Sequence, residues 1–509
     1  TVPGWITPAV PLLMAYCAQF PMGPERVHAL IAFQLMLGVF SIALGATGMA
    51  KKVVEYAHAH DVTVEGGKAS NLPTQIPATI EGVTREEIAT RINATDSEDA
   101  LKYLPSLLVR KRYIGDYNHA ILSTRASGTG NSARSAVYAD GILLSNYLGN
   151  GIANGSNYAP RWGLVTPEEI ERVDVMYGPF SAAYPGNSAG AVVDYVTRMP
   201  DKLEAHVAAG YAHQSADVLG SSGQYRSWNT SASIGSRSAG WSYWINLSRS
   251  DSQGQPMTFP SVLQSAGVAG GAGTPVTGAI AGLNTTNQPW YILGAGTQYR
   301  TRQDHAKIKL AYDITPTLRA SYTLGWWQNS AQGSSETYLR GPNGQPVYSG
   351  NINIDGKTYK LADTAFGLSQ DQQTHTMHGV SLKSHTQSEF DWELSASLYD
   401  YGKDQQRVPT VAQPAANLGG KGTLQDQDGT GWNTLAAKGS WRPDGLQGTH
   451  IVDFGLQRDS YQLRTIENAT TNWISGDAGA RSQAFNGDTQ LLGLWAQDTW
   501  KIAPKWKAV

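Results

Sequence analysis

The chain runs to 509 residues, 41% of them hydrophobic and 16% charged, with 39 Lys plus Arg against 41 Asp plus Glu. A net charge of −2 lacks the basic excess that nucleic-acid binding calls for, and one cysteine, Cys17, permits no internal disulfide and no cysteine-based metal centre. The 55 Gly, 15 Trp and 24 Tyr beside so few charges suit a membrane β-barrel, in which only alternate strand residues face lipid.

Residues 1–21 have no assignment and read as an upstream segment, since Met22 sits where a signal peptide would start. Residues 29–50 form an uncharged, mostly apolar run ending in Gly48-Met49-Ala50, so 22–50 is read as a signal peptide. The run is also long enough for a transmembrane helix, and Arg26 is the only nearby positive charge upstream. A polar stretch, 51–75, follows as a flexible leader.

Between 76 and 200 the pattern predicts a compact mixed α/β domain. Helix starts are expected at three capping boxes: Thr84 with Glu87, Thr95 with Glu98, and Thr166 with Glu169, the last with Pro167 at the first helical position. Strand-like runs lie at 135–138, closed by an Asp140-Gly141 turn, and at 191–197.

From Glu204 onward the period is two. Trp241, Tyr243, Ile245 and Leu247 alternate with Ser242, Trp244, Asn246 and Ser248, and Leu318 to Trp326 repeats the pattern. Similar alternation recurs at Ala306 to Tyr312, Trp392 to Leu398 and Val452 to Leu456. Connections near 236–240, 313–316, 386–389 and 443–447 are short, whereas those near 251–297, 331–374, 402–429 and 461–486 are long. Alternating short and long connections predict a large antiparallel membrane β-barrel over 201–509, with tight periplasmic turns and long extracellular loops. Trp326, Trp327, Trp441 and Trp500 are read as an interfacial girdle, with ordinary core aromatics as the alternative.

About ten complete strands are expected, with an eleventh begun near 505–509. An open sheet is not stable in lipid, so the strands are expected to continue elsewhere, to pair with another chain, or to belong to a defective product; a truncated sequence is favoured.

Several segments in the middle region agree in order with one family. Asp99-Ala-Leu-Lys-Tyr-Leu-Pro105 with Val109-Arg110 comes first, then Thr124-Arg125 and Arg134, then Val137-Tyr-Ala-Asp140-Gly141. Ile170-Glu171-Arg172-Val-Asp-Val175, Gly178-Pro179, Ser181-Ala-Ala-Tyr184 and Gly190 to Arg198 close the set. Together they resemble the plug of TonB-dependent outer-membrane receptors, and His450 to Gly455 and Trp495 to Lys501 resemble that family's barrel strands. Three positions depart from the family pattern: Ala126 for Gly, Tyr177 for the Arg before Gly-Pro, and Pro185-Gly186 for a Gly after Tyr. In the family that Arg and a second one, here Arg125, join barrel-wall carboxylates. The resemblance therefore implies a plug lock that is weakened or built differently, with its carboxylates on a part of the barrel outside this chain.

The resemblance also implies transport energised by TonB, because the outer membrane holds no useful ion gradient and the periplasm no ATP. The TonB-contacting segment is expected at Asp61-Val62-Thr63-Val64, whose β-branched residues favour an extended strand that can add to TonB; an unremarkable linker is the alternative. Ligand is expected at the outer mouth, on plug loops carrying Tyr113, Tyr117 and Asn118, and Asn146 and Tyr147. A ferric siderophore or similar chelate is the expected cargo, with haem, cobalamin, other chelates and oligosaccharides as alternatives; TonB and outer-membrane lipid are the expected partners.

His58 with His60, and His375 with His378 at a loop-to-strand boundary, have no clear third ligand and read as solvated histidines rather than a metal site. Gly267 to Gly273 lacks the Lys and the strand-to-helix context of a phosphate cradle. No catalytic residues and no cofactor are expected. Competing classes are an outer-membrane enzyme barrel, which predicts a catalytic cluster and no plug, and a non-functional receptor remnant.

Overall fold

A computed structural model describes residues 79–125, 135–145, 159–178, 182–184, 188–386, 388–503 and 506–509. All belong to one compact unit that begins at Lys68.

Seven short strands come first: β1 (Thr79–Thr84), β2 (Leu107–Val109), β3 (Leu122–Thr124), β4 (Ser135–Ala139), β5 (Ile142–Leu143), β6 (Ile170–Tyr177) and β7 (Ala191–Thr197). Five form a sheet in the order β1-β6-β7-β4-β5, in which β4 and β7 run parallel and the other pairs antiparallel. Strand β7 is buried at every position, which its run of Ala, Val and Tyr allows, and β6 is nearly so. Asp140 and Gly141, with φ of 51° and 83°, make the two-residue turn between β4 and β5. Positive φ at both central residues is the type I′ geometry that Asp-Gly favours.

The expected helix starts are present, but only the first opens an α-helix, α1 (Arg85–Arg91), capped reciprocally by Thr84 and Glu87. Thr166 and Glu169 box a single 3-10 turn, Pro167–Glu169. The middle box is displaced by one residue: the 3-10 helix Ser97–Leu101 takes Asp96 as its cap and Asp99 as the reciprocal residue. Lys111 decides this, since its ammonium lies 2.5 Å from Asp96 and 2.7 Å from Asp99, while Glu98 turns into the core.

The second half is a twelve-stranded antiparallel sheet. It begins with β8 (Glu204–Val218), β9 (Ser221–Ser238) and β10 (Trp241–Gln253). A long excursion follows, carrying β11 (Ser261–Leu263), β12 (Val268–Ala269), β13 (Thr274–Pro275), β14 (Ile280–Leu283) and β15 (Pro289–Ile292). The sheet resumes with β16 (Gly294–Thr315) and β17 (Leu318–Thr337), before a second excursion with β18 (Gly350–Ile354) and β19 (Lys357–Leu361). Then come β20 (Ser369–Ser384), β21 (Phe390–Pro409), β22 (Gly422–Asp426), β23 (Gly431–Trp441), β24 (His450–Thr470), β25 (Arg481–Ala503) and β26 (Trp506–Ala508). Because β22 and β23 share the place between β21 and β24, the wall has ten long positions and the short β26. Strands β8 and β26 are the sheet's two edges.

Alternation sorts the residues as a barrel requires. On β16, Ala306, Ile308, Leu310 and Tyr312 face outward, while Tyr299, Thr301, His305, Lys307 and Lys309 are buried against the plug. Trp241 packs on Tyr312 at a ring distance of 4.6 Å, and Trp441, Trp500 and Trp506 are exposed near the same end, as a girdle demands. Trp327 corrects the expected girdle, because it points inward and is buried against the plug. Long and short connections alternate with one exception: β8 and β9 join through Leu219-Gly220 at the end that otherwise carries long loops. The strands also run several residues into the predicted loops, so the wall projects past its apolar band.

His375 and His378 both lie inside β20, three residues apart and hence on opposite faces, which excludes a shared metal. His375 is fully buried rather than solvated. Among the described residues no group of three or more metal-ligating side chains occurs, and no helix is long and apolar enough to cross a membrane.

Candidate functional site

The plug sheet sits inside the wall, and the contact between them is the candidate site. Two lysines of β16 carry its charge. Lys307 donates to Glu169 at 2.6 Å with both side chains wholly buried, and Lys309 lies 2.9 Å from Asp140. Lys309 also donates to the Thr197 carbonyl at 3.1 Å and its hydroxyl at 2.8 Å. The acceptors come from local structure already set by sequence: Glu169 from its capping box, Asp140 from the type I′ turn. Burial alone would raise the Asp140 carboxyl, but Lys309 and Lys307 beside it outweigh this and hold it below the usual range.

At this contact wall cations hold plug carboxylates. Arg125, expected to reach wall carboxylates, is an exposed residue, and Tyr177 spends its hydroxyl on Glu81 at 3.2 Å. Lysines 307 and 309 were not singled out from sequence. Their signal was available, since they alternate with Ala306, Ile308 and Leu310 on a strand whose apolar face meets lipid, which places two charges inside.

Further along the wall the contact turns aromatic. Trp432 donates its indole N–H to the Leu143 carbonyl at 2.8 Å and stacks on Tyr399 at 4.3 Å. Arg161 of the plug lies 5.0 Å above the Tyr401 ring, and His375 stacks on Tyr401 at 3.9 Å while reaching Asp404 at 3.0 Å. Two glycines permit this closeness: a Cβ at Gly163 would sit 2.4 Å from the Trp327 indole nitrogen, and one at Gly379 would sit 2.6 Å from Ile142. A cavity of about 70 Å³ remains between plug and wall, bordered by Glu98, Glu168, Gln303 and His305. Burial, then Asp96, raises the Glu98 carboxyl well above its ordinary value; burial likewise raises Glu168.

The predicted ligand residues are placed as follows. Tyr113 and Tyr117 are buried against Tyr299 of the wall, stacked at 5.6 Å and edge-on at 6.0 Å, and Tyr113 donates to Asn118 at 3.4 Å. Asn146 and Tyr147, with Arg134, Pro179 and the segment Asp61, Val62, Thr63 and Val64, lie outside the described residues. Of the plug motif, Arg172 pairs with Asp174 at 2.8 Å, Gly178 adopts φ of 86°, and Glu171 is the extra residue of a bulge between β6 and β7.

An α/β plug held within an antiparallel, lipid-facing strand wall is the architecture of a TonB-dependent outer-membrane receptor. Residues 73–192 match the family model described as TonB-dependent Receptor Plug Domain. The ferrichrome outer membrane transporter/phage receptor of Escherichia coli is 29% identical over 136 residues, covering 26% of this chain and 16% of that protein. The vitamin B12 transporter BtuB of Vibrio vulnificus is 27% identical over 180 residues, covering 34% and 27%. In fold, the chain is similar to the ferric yersiniabactin uptake receptor FyuA of Yersinia pestis, at 11% identity with a TM-score of 0.50, covering 84% of this chain and 62% of that one. It is similar also to the ferric enterobactin receptor PfeA of Pseudomonas aeruginosa, at 14% identity and 0.50, covering 84% and 56%. The chain thus spans less than two thirds of each of these relatives.

Proposed function

We propose that this protein is a receptor for TonB-energised uptake of a metal chelate, of the ferric siderophore class. The observation that carries the reading is the plug locked to the wall by the buried pairs Lys307 with Glu169 and Lys309 with Asp140. A channel closed by buried ion pairs does not open by diffusion of cargo alone, because separating one such pair strands a charge at a cost of roughly 3–5 kcal/mol. Work delivered through a segment ahead of the plug would supply that energy, and Asp61-Val62-Thr63-Val64 is our candidate for it. The iron chelates and vitamin in the relatives' names favour a chelate as cargo.

Val62→Pro tests the energy route. Proline removes an amide donor from the strand that would add to TonB, so cells carrying the variant should bind ferric siderophore normally and lose its accumulation. Accumulation at the wild-type rate would remove the assignment of this segment. Loss of binding and accumulation alike for every ferric siderophore tried would remove the cargo class.

A further inference from the structure

We propose that the outward face of β9, β10 and β16, directly above the apolar band, binds the phosphates of an outer-leaflet lipid headgroup. The inference needs only the outer-membrane location and is independent of cargo or TonB.

Four arginines stand on this face: Arg226 on β9, Arg249 on β10, and Arg300 and Arg302 on β16. The register makes them neighbours, since Arg249 opposes Asp304, Asp251 opposes Arg302, and Gln253 opposes Arg300. Below them on the same outward rows are Leu247 and Ile245 of β10 and Ile308 and Leu310 of β16, so the arginines mark the border of the lipid-facing band. Trp228 and Tyr211, both exposed, share the rung of Asp251, as aromatic residues do where hydrocarbon meets headgroups.

The local carboxylates do not consume this charge. Arg249 takes Asp304 in two hydrogen bonds, of 2.5 and 3.0 Å. Arg300 and Arg302 share Asp251 alone, at 3.7 and 3.6 Å, and Arg226 has no ion pair among the described residues. Four cations against two anions leave two positive charges on three adjacent strands. The guanidinium groups are also the projecting members, with side chains 54, 67 and 59% exposed for Arg249, Arg300 and Arg302 against 15 and 25% for Asp251 and Asp304. Guanidinium matches phosphate oxygens in paired hydrogen bonds, and a headgroup is the phosphate that lies at this depth on this side of the sheet.

The test uses the full-length receptor in phosphatidylcholine nanodiscs doped with a diphosphorylated glucosamine lipid. Retention of that lipid is measured by native mass spectrometry for the wild type and for Arg226→Gln/Arg300→Gln/Arg302→Gln. These outward substitutions leave the plug and its lock untouched, and unchanged heat-modifiable migration confirms a folded barrel. The triple variant should bind the lipid about 10-fold more weakly or worse, the corresponding Lys variant should recover part of the loss, and the dephosphorylated lipid should bind both proteins equally poorly. Equal retention by wild type and triple Gln variant overturns the proposal. So does displacement of the lipid by inorganic phosphate at matching concentration, which would mark an adventitious anion site.

Discussion

Lys307 and Glu169 bury opposite charges completely, and the physics of such pairs makes the single and double changes differ in kind. Lys307→Met leaves Glu169 buried without its cation, and should cost about 3–5 kcal/mol of plug anchoring. Adding Glu169→Gln removes the stranded charge, and should recover most of that loss, because two neutral side chains need no mutual compensation. Urea titration of plug release, followed by a fluorophore on the exposed Tyr103 position replaced by Cys, separates the two outcomes. Additive losses in the double variant would mean that the pair does not act as a unit. The residues of this lock explain what sequence reading could and could not reach. Asp140 was legible because an Asp-Gly turn has a known geometry, and Glu169 because its capping box is local. Alternation alone turns Lys307 and Lys309 inward, but which plug carboxylates they meet depends on tertiary packing that leaves no local pattern. Arg125 is exposed, and the wall carboxylates that the resemblance implies for it belong to a part of the barrel outside this chain.

At the scale of elements, the long loops prove to be structured. The excursions after β10 and β17 join in one four-stranded sheet, β12-β19-β18-β13, and cover a core of Leu293, Leu339, Ile352, Tyr359 and Phe366. Period-two strands and loop positions could be read from sequence, since each needs only its own residues. The pairing of β13 with β18 joins segments some eighty residues apart and left no local pattern. The consequence is a rigid collar, with Lys357 and Lys360 held in strand β19. Ile352→Asn places an amide in that core and should cost roughly 2–5 kcal/mol there, so trypsin should cut at Lys357 and Lys360 at least 10-fold faster than in the wild type. The wall should stay intact throughout. Unchanged cleavage rates would show that the two loops do not share a core.

For the molecule as a whole, the membrane decides which surface is which. Residues on one outward row of β16 pass from Arg302 and Asp304 through Ala306 to Ile308, Leu310 and Tyr312, so the hydrocarbon should begin between Asp304 and Ile308. A charge placed on either side of that border should therefore carry unequal penalties. Ile308→Arg puts a guanidinium among outward apolar neighbours, with Ile245 and Leu324 on the adjoining strands, and should lower stability by about 2–4 kcal/mol. Gln328→Arg, on the rung of Asp304, should lower it by no more than about 1 kcal/mol, because the side chain reaches headgroups and can pair with that carboxylate. Reversible urea unfolding in phosphatidylcholine vesicles reads both differences on the same scale. Equal penalties would move the band, and with it the depth at which the arginine cluster meets the bilayer; the unequal pair expected here places that cluster at the phosphates.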